Sequence, residues 1–328
     1  MEYIVDLEAS KLRLSKEERQ DKFRGCMLGS ALGDAVGELA FKYPSKEKLL
    51  SVVKDADEVR YTDDSAMAIG IAESLIENQG ELNQHHLGET FRKNYQEEPW
   101  RGYGQGPPKI FRMVARKEKE SYVEAAETLF DGEGSMGNGS AMRIAPVGIF
   151  FEDEEKVAEE AERSAEVTHT HELGRDGAAV LASAINIASN RSSKDSSVER
   201  LKPVETAERL SKIAKTEVFT EALEDVKRFV KTKTEREVAA EELGTGVLIH
   251  RSVPYAIFSF LMATSSFEEA LMNAIMVRGD RDTIGAMTGA LSGAYLGKSS
   301  IPDDLIQKLE NGEYIESLAD RLFELDLD

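Results

Sequence analysis

Two short acidic runs carry the side chains best suited to chemistry. They occupy residues 61–65 (YTDDS) and 279–283 (GDRDT), and together they offer four carboxylates and two threonine hydroxyls. If folding brings the runs together, four negative charges repel one another strongly at low dielectric. A divalent cation relieves that repulsion, and ligands that are all oxygen suit Mg²⁺, Mn²⁺ or Ca²⁺ better than zinc. The pair of runs therefore favours a binuclear metal site.

A plainer interpretation of the same residues stays open at this point. Asp63 and Asp282 each stand at the head of a stretch with helical periodicity. A carboxylate at such a position stabilises a helix N-terminus without any further role. One acidic run alone would favour helix capping, whereas two runs of the same form favour metal binding.

Glycine recurs every four residues in two segments that also have a helical pattern. The first set is Gly25, Gly29, Gly33 and Gly37, and the second is Gly285, Gly289, Gly293 and Gly297. A glycine inside a helix costs about 1 kcal/mol relative to alanine, so both sets require a structural compensation. The spacing aligns each set on one helix face, where another backbone can approach closely. We therefore expect two central buried helices in contact, with the second acidic run at the head of one of them.

The rest of the chain predicts an almost all-α protein. Helical periodicity is clear in residues 66–76, 157–167, 178–188 and 219–230, whereas alternating β-branched residues are scarce. The highly charged residues 190–242 predict a loop followed by peripheral helices. No change of composition marks a linker, so we expect one domain over residues 1–328.

Composition narrows the classes of function. A net charge of −20 disfavours general binding to DNA, RNA or anionic membranes. The single cysteine, Cys26, excludes an internal disulfide and a cysteine-based metal cluster. The charged N-terminus, MEYIVDLEASKLRLSKEERQ, is not a signal peptide, and no apolar run approaches the roughly 20 residues of a membrane helix. We expect a cytoplasmic monomer.

Five motifs in order resemble the ADP-ribosylglycohydrolase family. They are FRGCMLGSALGDAVG (23–37), YTDDSAMA (61–68), RGYGQG (101–106), GSMGNGSAMR (134–143) and GDRDTIGAMTGALSGAYLG (279–297). Their order and spacing agree with the family over nearly the whole chain. RGYGQG, FDGEGSMGNGSAMR (130–143), EVTHTHELG (166–174) and ELGTGVLIHRSVP (242–254) are most similar to the branch that hydrolyses serine-linked and poly-ADP-ribose. The arginine-specific branch is a poorer match.

The resemblance implies a compact, all-α orthogonal bundle with a central binuclear site for Mg²⁺ or Mn²⁺. Carried over by position, the metal ligands are Thr62, Asp63, Asp64, Asp280, Asp282 and Thr283. The first three would hold one ion, and Asp282 would bridge both. The reaction is hydrolysis at the anomeric carbon of the distal ribose, through a transition state that resembles an oxocarbenium ion. The metals would orient the ribose diol, while Asp63 and Asp64 stabilise the cation and activate water.

The resemblance also implies a surface that binds ADP-ribose. A glycine-rich loop would cradle the diphosphate through backbone N–H groups, and its residues are Glu133, Gly134, Ser135, Met136, Gly137, Asn138 and Gly139. Met136 stands where an aromatic side chain often stacks on adenosine, and a thioether can also cover a ring face. His169 would contact diphosphate or ribose, Val247 would pack against adenine, and Asp63 would also contact the substrate. From the residues alone, the loop is equally a plain turn, His169 a structural histidine and Val247 a core residue.

Two features depart from the family pattern. The hydrolase branch usually carries a glutamate four residues after the second glycine of its GDxxG motif, where this chain has Phe41. Glu38, about one helical turn earlier, is the expected replacement as a catalytic acid. Arg278 and Arg281 flank the second acidic run where small or hydroxyl residues are more typical. They could pair with aspartates or with phosphate on an acceptor, although surface salt bridges are the preferred interpretation.

Two classes of function stay open. The first is a metal-dependent hydrolase that releases ADP-ribose from serine, from poly-ADP-ribose or from O-acetyl-ADP-ribose, with ADP-ribosyl-arginine as the alternative substrate. The second is a catalytically weak ADP-ribose-binding protein, since the family includes crystallin-like members. The presence of all six candidate metal ligands favours the enzyme. Its partners would be ADP-ribosylated proteins or small molecules.

Overall fold

A computed structural model describes residues 14–195 and 197–327, and this part of the chain contains seventeen α-helices. In chain order they are α1 (Lys16–Lys42), α2 (Lys46–Asp55), α3 (Asp63–Glu77), α4 (Gln84–Glu97), α5 (Gly106–Ala115), α6 (Tyr122–Glu127), α7 (Ala145–Phe150), α8 (Glu154–Glu166), α9 (Glu172–Ser189), α10 (Pro203–Ile213), α11 (Glu217–Thr232), α12 (Arg236–Leu243), α13 (Ile249–Leu261), α14 (Phe267–Ile275), α15 (Arg281–Leu296), α16 (Asp303–Lys308) and α17 (Gly312–Asp326). The signal-peptide prediction concerns the N-terminus, of which residues 1–13 lie outside the described part.

The predicted all-α class is confirmed. Three of the four periodic segments fall within α3, α9 and α11, and the fourth, 157–167, lies in α8 except for its last residue, the C-cap Val167. Within the described residues there is no strand, and two isolated bridges pair Val59 with Leu309 and Gly137 with Leu248. The charged segment after residue 190 forms a loop and then α10, α11 and α12, of which α11 buries an apolar face against α13. None of the described helices is both long and apolar enough to cross a membrane.

Helices α1 and α15 form the centre of the fold and pack against each other through their glycine faces. They run antiparallel, because Gly25 meets Gly293 and Gly33 meets Gly285. A Cβ atom added at Gly33 would lie 2.0 Å from the carbonyl oxygen of Gly285, and one at Gly293 would lie 1.9 Å from that of Gly25. The two backbones are therefore in direct contact, which confirms the prediction drawn from the glycine spacing.

The antiparallel pairing decides where the acidic residues meet. It places the C-terminal part of α1 beside the N-terminus of α15, where the second acidic run begins. Helices α9, α13 and α14 pack on α15, and α17 packs on α1 and α3. These layers bury the helix pair on its flanks and leave the acidic end of α15 next to the start of α3.

Candidate functional site

The first acidic run forms the N-terminus of α3, and its cap comes from another helix. Thr62 is the N-cap residue but makes no side-chain cap bond of its own. The carboxylate of Asp34, fully buried on α1, accepts hydrogen bonds from the backbone N–H groups of Thr62 and Ser65, each at 3.0 Å. It also accepts from the Thr62 hydroxyl at 2.8 Å and from the Ser65 hydroxyl at 2.6 Å. Asp34 therefore caps the N-terminus of α3, and Asp63 is not needed as a cap.

The backbone of Asp63 is held by the turn at residues 101–106. The N–H of Asp63 donates to the carbonyl oxygen of Arg101 at 2.8 Å. The Arg101 side chain is buried, and it donates to the carbonyl oxygen of Tyr61 at 2.9 Å and to the carboxylates of Glu98 and Glu310. This network fixes the chain on both sides of the first acidic run.

The second acidic run is tied to two loops. The backbone N–H of Asp280 donates to the carbonyl oxygen of Thr245 at 2.7 Å, and the Asn138 amide donates to Asp280 Oδ2 at 2.6 Å. Gly279 has a φ of +127°, and a Cβ there would lie 2.1 Å from the Thr245 carbonyl oxygen. Asp282 Oδ1 accepts from the backbone N–H of the next residue at 2.9 Å. The run is therefore joined directly to the glycine-rich loop.

Both acidic runs meet at the C-terminal part of α1. A Cβ atom at Gly37 would lie 2.7 Å from the Cα atom of Asp282, and Asp34 lies one turn earlier on the same helix. Burial raises the pKa of Asp63 to about 7, and the charges of Asp34 and Asp280 add to the effect. Burial and the Asp280 charge raise the pKa of Asp282 to about 8. The carboxylates are thus close enough to oppose one another's ionisation.

Asp64 is the residue whose surroundings most require a cation. Its side chain is 2% exposed, and its Oδ1 atom has no hydrogen-bond partner among the described residues. Burial, and then the charge of Asp34, raise the pKa of its carboxyl well above the ordinary value. In residues 14–195 and 197–327, no three His, Cys, Asp or Glu side chains are already arranged to hold a metal ion. The oxygen donors fit a hard divalent cation by type and proximity, and binding would require the carboxylates to rotate toward it.

The predicted substrate loop lies beside the segment that leads into α13. The backbone N–H of Asn138 donates to the carbonyl oxygen of Val247 at 2.9 Å, and Ile249 donates to the carbonyl oxygen of Met136 at 3.0 Å. The Val247 side chain is 63% exposed, which excludes the core interpretation. Met136 is partly buried on the same loop. These residues form one continuous surface next to the second acidic run.

His169 lies against the glycines of this loop. A Cβ atom at Gly139 would lie 3.0 Å from His169 Nε2, and one at Gly137 would lie 3.5 Å from it. The ring is 6% exposed, and its Nδ1 atom lies 2.7 Å from the Thr168 hydroxyl. Burial, assisted by the positive charge of Arg143, lowers the pKa of His169 to about 3. The imidazole is therefore neutral, and its Nε2 atom faces the loop predicted to hold the diphosphate.

The two glutamates among the predicted site residues are not bonded to the rest of the described site. Both Glu38 and Glu133 are exposed, and neither side chain makes a hydrogen bond with a described residue. The charge of Glu38 nevertheless contributes to the raised pKa of Asp282, so Glu38 lies close to the second acidic run. Phe41, at the position where the family usually has its glutamate, is 49% exposed.

The preferred interpretation of Arg281 was wrong. Its side chain is 9% exposed and donates to the backbone carbonyl oxygens of Val277, at 2.7 Å, and Ala40. The last four carbonyl groups of a helix have no partner within that helix, and Arg281 supplies one to Ala40 near the end of α1. Arg278 is exposed and forms no salt bridge with a described residue.

Sequence reasoning missed three residues that organise the site. Asp34 had a visible signal, because it is an acid within a helix of glycine and small apolar residues. Arg143 ends the motif GSMGNGSAMR and is fully buried, with its guanidinium bonded to the hydroxyl of Thr168 at 2.8 Å. Thr168 offered no signal of its own, since a threonine beside a histidine is common in any loop.

Comparison with known proteins identifies the family of this chain. The family model described as ADP-ribosylglycohydrolase matches residues 15–328. The chain is 32% identical to ADP-ribosylhydrolase ARH3 of Danio rerio, with 93% of this chain and 90% of that protein covered. It is 30% identical to ADP-ribosylhydrolase ARH3 of Homo sapiens, with 92% of each covered. A solved structure titled "ADP-ribosylglycohydrolase-related protein complex" superposes with a TM-score of 0.65 at 25% identity, over 94% of this chain and 99% of that one. The chain therefore belongs to the ADP-ribosylglycohydrolase family of glycosidic-bond hydrolases.

Proposed function

We propose that the protein uses two divalent cations, Mg²⁺ or Mn²⁺, to hydrolyse the bond between ADP-ribose and an oxygen-linked acceptor. The observation that carries this proposal is the meeting of both acidic runs at α1, around a buried Asp64 oxygen that has no hydrogen-bond partner among the described residues. Several buried carboxylates in one place are unfavourable unless protons or cations neutralise them. Cation binding would turn this arrangement into a stable one near neutral pH.

The two ends of ADP-ribose have distinct candidate positions. The diphosphate would lie on the loop at residues 133–139, whose Gly137 and Gly139 pack directly against the His169 ring. The adenine would lie on the exposed Val247 side chain, with Met136 beside it. The bond from Asn138 to Asp280 joins this loop to the acidic runs. A ligand held by the loop would thus extend its distal ribose toward the carboxylates.

The candidate ligands for the cations are Thr62, Asp63, Asp64, Asp280, Asp282 and Thr283. When bound, the cations would orient the ribose diol and neutralise the acidic cluster. Asp63 is more exposed than Asp64, so we assign Asp63 to direct contact with the substrate. A carboxylate beside the anomeric carbon stabilises an oxocarbenium-like transition state and accepts a proton from the attacking water. Glu38, exposed near Asp282, is the candidate for a second acid or base.

Serine-linked ADP-ribose, poly-ADP-ribose and O-acetyl-ADP-ribose are the proposed substrates. The motifs of the loop and of residues 166–174 and 242–254 support this choice, because they resemble the serine and polymer branch. Two alternatives stay open: hydrolysis of ADP-ribosyl-arginine, and ADP-ribose binding with little catalysis. The expectations of a monomer and of a cytoplasmic location also stay predictions.

One assay separates these possibilities. Purified protein is incubated with serine-linked, arginine-linked, polymeric and O-acetyl ADP-ribose, with Mg²⁺, with Mn²⁺ or with EDTA, and released ADP-ribose is quantified. The proposal expects release from the oxygen-linked substrates with either cation and none with EDTA. Release from arginine alone would establish the first alternative. Tight ADP-ribose binding without release from any substrate would establish the second.

A further inference from the structure

A buried hydrogen-bonded chain runs from Arg143 through Thr168 to His169. Arg143 is 0% exposed and Thr168 is 1% exposed. The Arg143 guanidinium donates to the Thr168 hydroxyl oxygen at 2.8 Å and to the carbonyl oxygen of Ser164 at 3.1 Å. The same hydroxyl lies 2.7 Å from His169 Nδ1. The Arg143 guanidinium carbon lies 4.7 Å from the centroid of the Phe91 ring, which covers it. The three linked side chains are therefore enclosed.

Counting the hydrogens along these hydrogen bonds determines which ring nitrogen of His169 carries the proton. A guanidinium only donates hydrogen bonds, so the Thr168 oxygen must be the acceptor in its bond to Arg143. The hydroxyl has one hydrogen, and within the described part of the chain its only partner besides Arg143 is His169 Nδ1. If Nδ1 carried the proton, the hydroxyl hydrogen would be buried without an acceptor, which is costly. Nδ1 is therefore the acceptor, and the proton of the neutral ring is on Nε2.

We propose that Arg143 and Thr168 are positioning residues that fix His169 as the Nε2–H tautomer, so that Nε2 always presents a hydrogen-bond donor to an oxygen of bound ADP-ribose. This inference rests on the proposed function for the identity of the ligand. The tautomer itself follows from the hydrogen bonds of the protein alone.

The position of Nε2 explains why the tautomer of His169 matters for ligand binding. Nε2 lies against the backbones of Gly137 and Gly139, in the loop predicted to hold the diphosphate. It makes no hydrogen bond with a described residue, and the ring keeps 6% of its surface exposed. With the opposite tautomer, a lone pair would face the ligand: it would repel a phosphate oxygen, and it could accept from a ribose hydroxyl but not donate to one. Arg143 and Thr168 thus make Nε2 a hydrogen-bond donor while the imidazole ring stays neutral.

The electrostatic surroundings support the same conclusion. Burial and the charge of Arg143 lower the pKa of His169 to about 3. Protonation, which would make both ring nitrogens donors, is therefore disfavoured at physiological pH. Because the ring stays neutral, its tautomer determines whether Nε2 can donate to a ligand.

The first test measures the tautomer without any ligand. Two-bond ¹H–¹⁵N correlation spectra distinguish the two neutral forms of a histidine, and a His169→Gln variant identifies the His169 signals. We expect the Nε2–H form at every pH from about 5.5 to 8, where an unperturbed histidine would titrate. Thr168→Val should introduce the Nδ1–H form, whereas Thr168→Ser, which keeps the hydroxyl, should retain the wild-type spectrum. An Nδ1–H form in the wild type, or an unchanged spectrum in Thr168→Val, would overturn the inference.

The second test measures what the donor contributes to binding. Titration calorimetry with ADP-ribose compares the wild type with Thr168→Val and Thr168→Ser. Losing a hydrogen bond to a charged group corresponds to about 10- to 100-fold weaker binding, so we expect that loss for Thr168→Val and less than about threefold for Thr168→Ser. Equal affinities in all three proteins would contradict the inference. Thr288→Val is the control for loss of a buried hydroxyl, because Thr288 is fully buried on α15 and its hydroxyl donates, among the described residues, to the carbonyl oxygen of Ala256.

A third comparison identifies the oxygen that Nε2–H contacts. ADP has the diphosphate but lacks the distal ribose. If Thr168→Val weakens ADP and ADP-ribose equally, the acceptor is a phosphate oxygen; if it weakens ADP-ribose alone, the acceptor is on the ribose. Either result supports the donor. A wild-type protein that shows the Nε2–H form but binds neither ligand would contradict the proposed function and the donation to ADP-ribose, while the tautomer assignment would stand.

Discussion

Asp34 and Thr62 join the two helices on which the site depends. The buried carboxylate of Asp34 on α1 accepts from the backbone N–H of Thr62 at 3.0 Å and from its hydroxyl at 2.8 Å. Three residues later on α1, Gly37 allows the backbone of Asp282 to approach. One short stretch of α1 therefore sets the position of both acidic runs relative to each other.

Replacing Asp34 tests this role. Asp34→Asn puts an amide that donates hydrogen bonds opposite four other donors, from Thr62 and Ser65. We expect a loss of about 3 kcal/mol in the free energy of unfolding, measured by urea denaturation, because buried donors lose their acceptor. The protein that remains folded should turn over about a hundredfold more slowly, since the first run is displaced.

Asp176 offers a matched control for that variant. It is 3% exposed on α9 and, like Asp34, accepts from the backbone N–H and hydroxyl of a neighbouring helix's N-cap residue, here Thr216 of α11, with the N–H at 2.8 Å. Asp176→Asn should reduce stability by a similar amount and leave turnover per folded molecule unchanged. If both variants retain wild-type turnover, Asp34 is a cap without influence on the site.

The glycine contact between α1 and α15 gives a second prediction. Gly33→Ala would place a methyl group 2.0 Å from the carbonyl oxygen of Gly285, so the two helices must separate. We expect a loss of about 3 kcal/mol or more in the free energy of unfolding, as for severe overpacking. Gly104→Ala, where nothing lies within 4 Å of the added atom, should change it by less than about 0.5 kcal/mol. Equal stability of the two variants would contradict the close contact.

A third prediction concerns Glu38. Glu38→Gln keeps the size of the side chain but removes its charge, and we expect kcat to fall about a hundredfold, the scale of general acid–base catalysis. Affinity for ADP-ribose should change little, because Glu38 is exposed and not part of the glycine-rich loop. Adding Phe41→Glu to this variant returns an acid to the position usual in the family and should restore part of the activity. Unchanged turnover in Glu38→Gln would assign the base to Asp63 or Asp64.

The raised pKa values predict how stability depends on pH and cations. Asp63 and Asp282 have pKa values of about 7 and 8 in the folded protein, above the ordinary value of 3.8. Their contribution to stability is present below pH 4 and is lost as pH rises through 7 to 8, because the folded state binds protons that the unfolded state has released. Mg²⁺ competes with those protons, so saturating Mg²⁺ should raise the melting temperature by about 5 °C at pH 8 and by much less at pH 5. Calorimetry at matched ionic strength checks this, and an equal rise at both pH values would contradict it.

The sequence predicted the contact between the two central helices, but not the hydrogen bonds that hold the candidate site. The glycine spacing sufficed for the contact of α1 with α15, because glycine destabilises a helix interior and its repetition at helical period indicates that two backbones pack closely. The roles of Asp34, Arg143 and Arg281 depend on partners 28, 25 and 241 positions away in the chain. No local pattern encodes such pairings, so Arg281 was predicted at the surface when it binds the end of α1.

Anomalous diffraction from crystals grown with Mn²⁺ tests the binuclear site most directly. We expect two Mn²⁺ ions about 3.5–4 Å apart, the usual spacing of two-metal sites, with Asp282 between them. The Asp282→Ala protein should lose both ions and its hydrolytic activity, because a bridging carboxylate serves both positions. Mn²⁺ peaks elsewhere on the protein, or none between residues 62–64 and 280–283, would contradict a binuclear site formed by the two acidic runs.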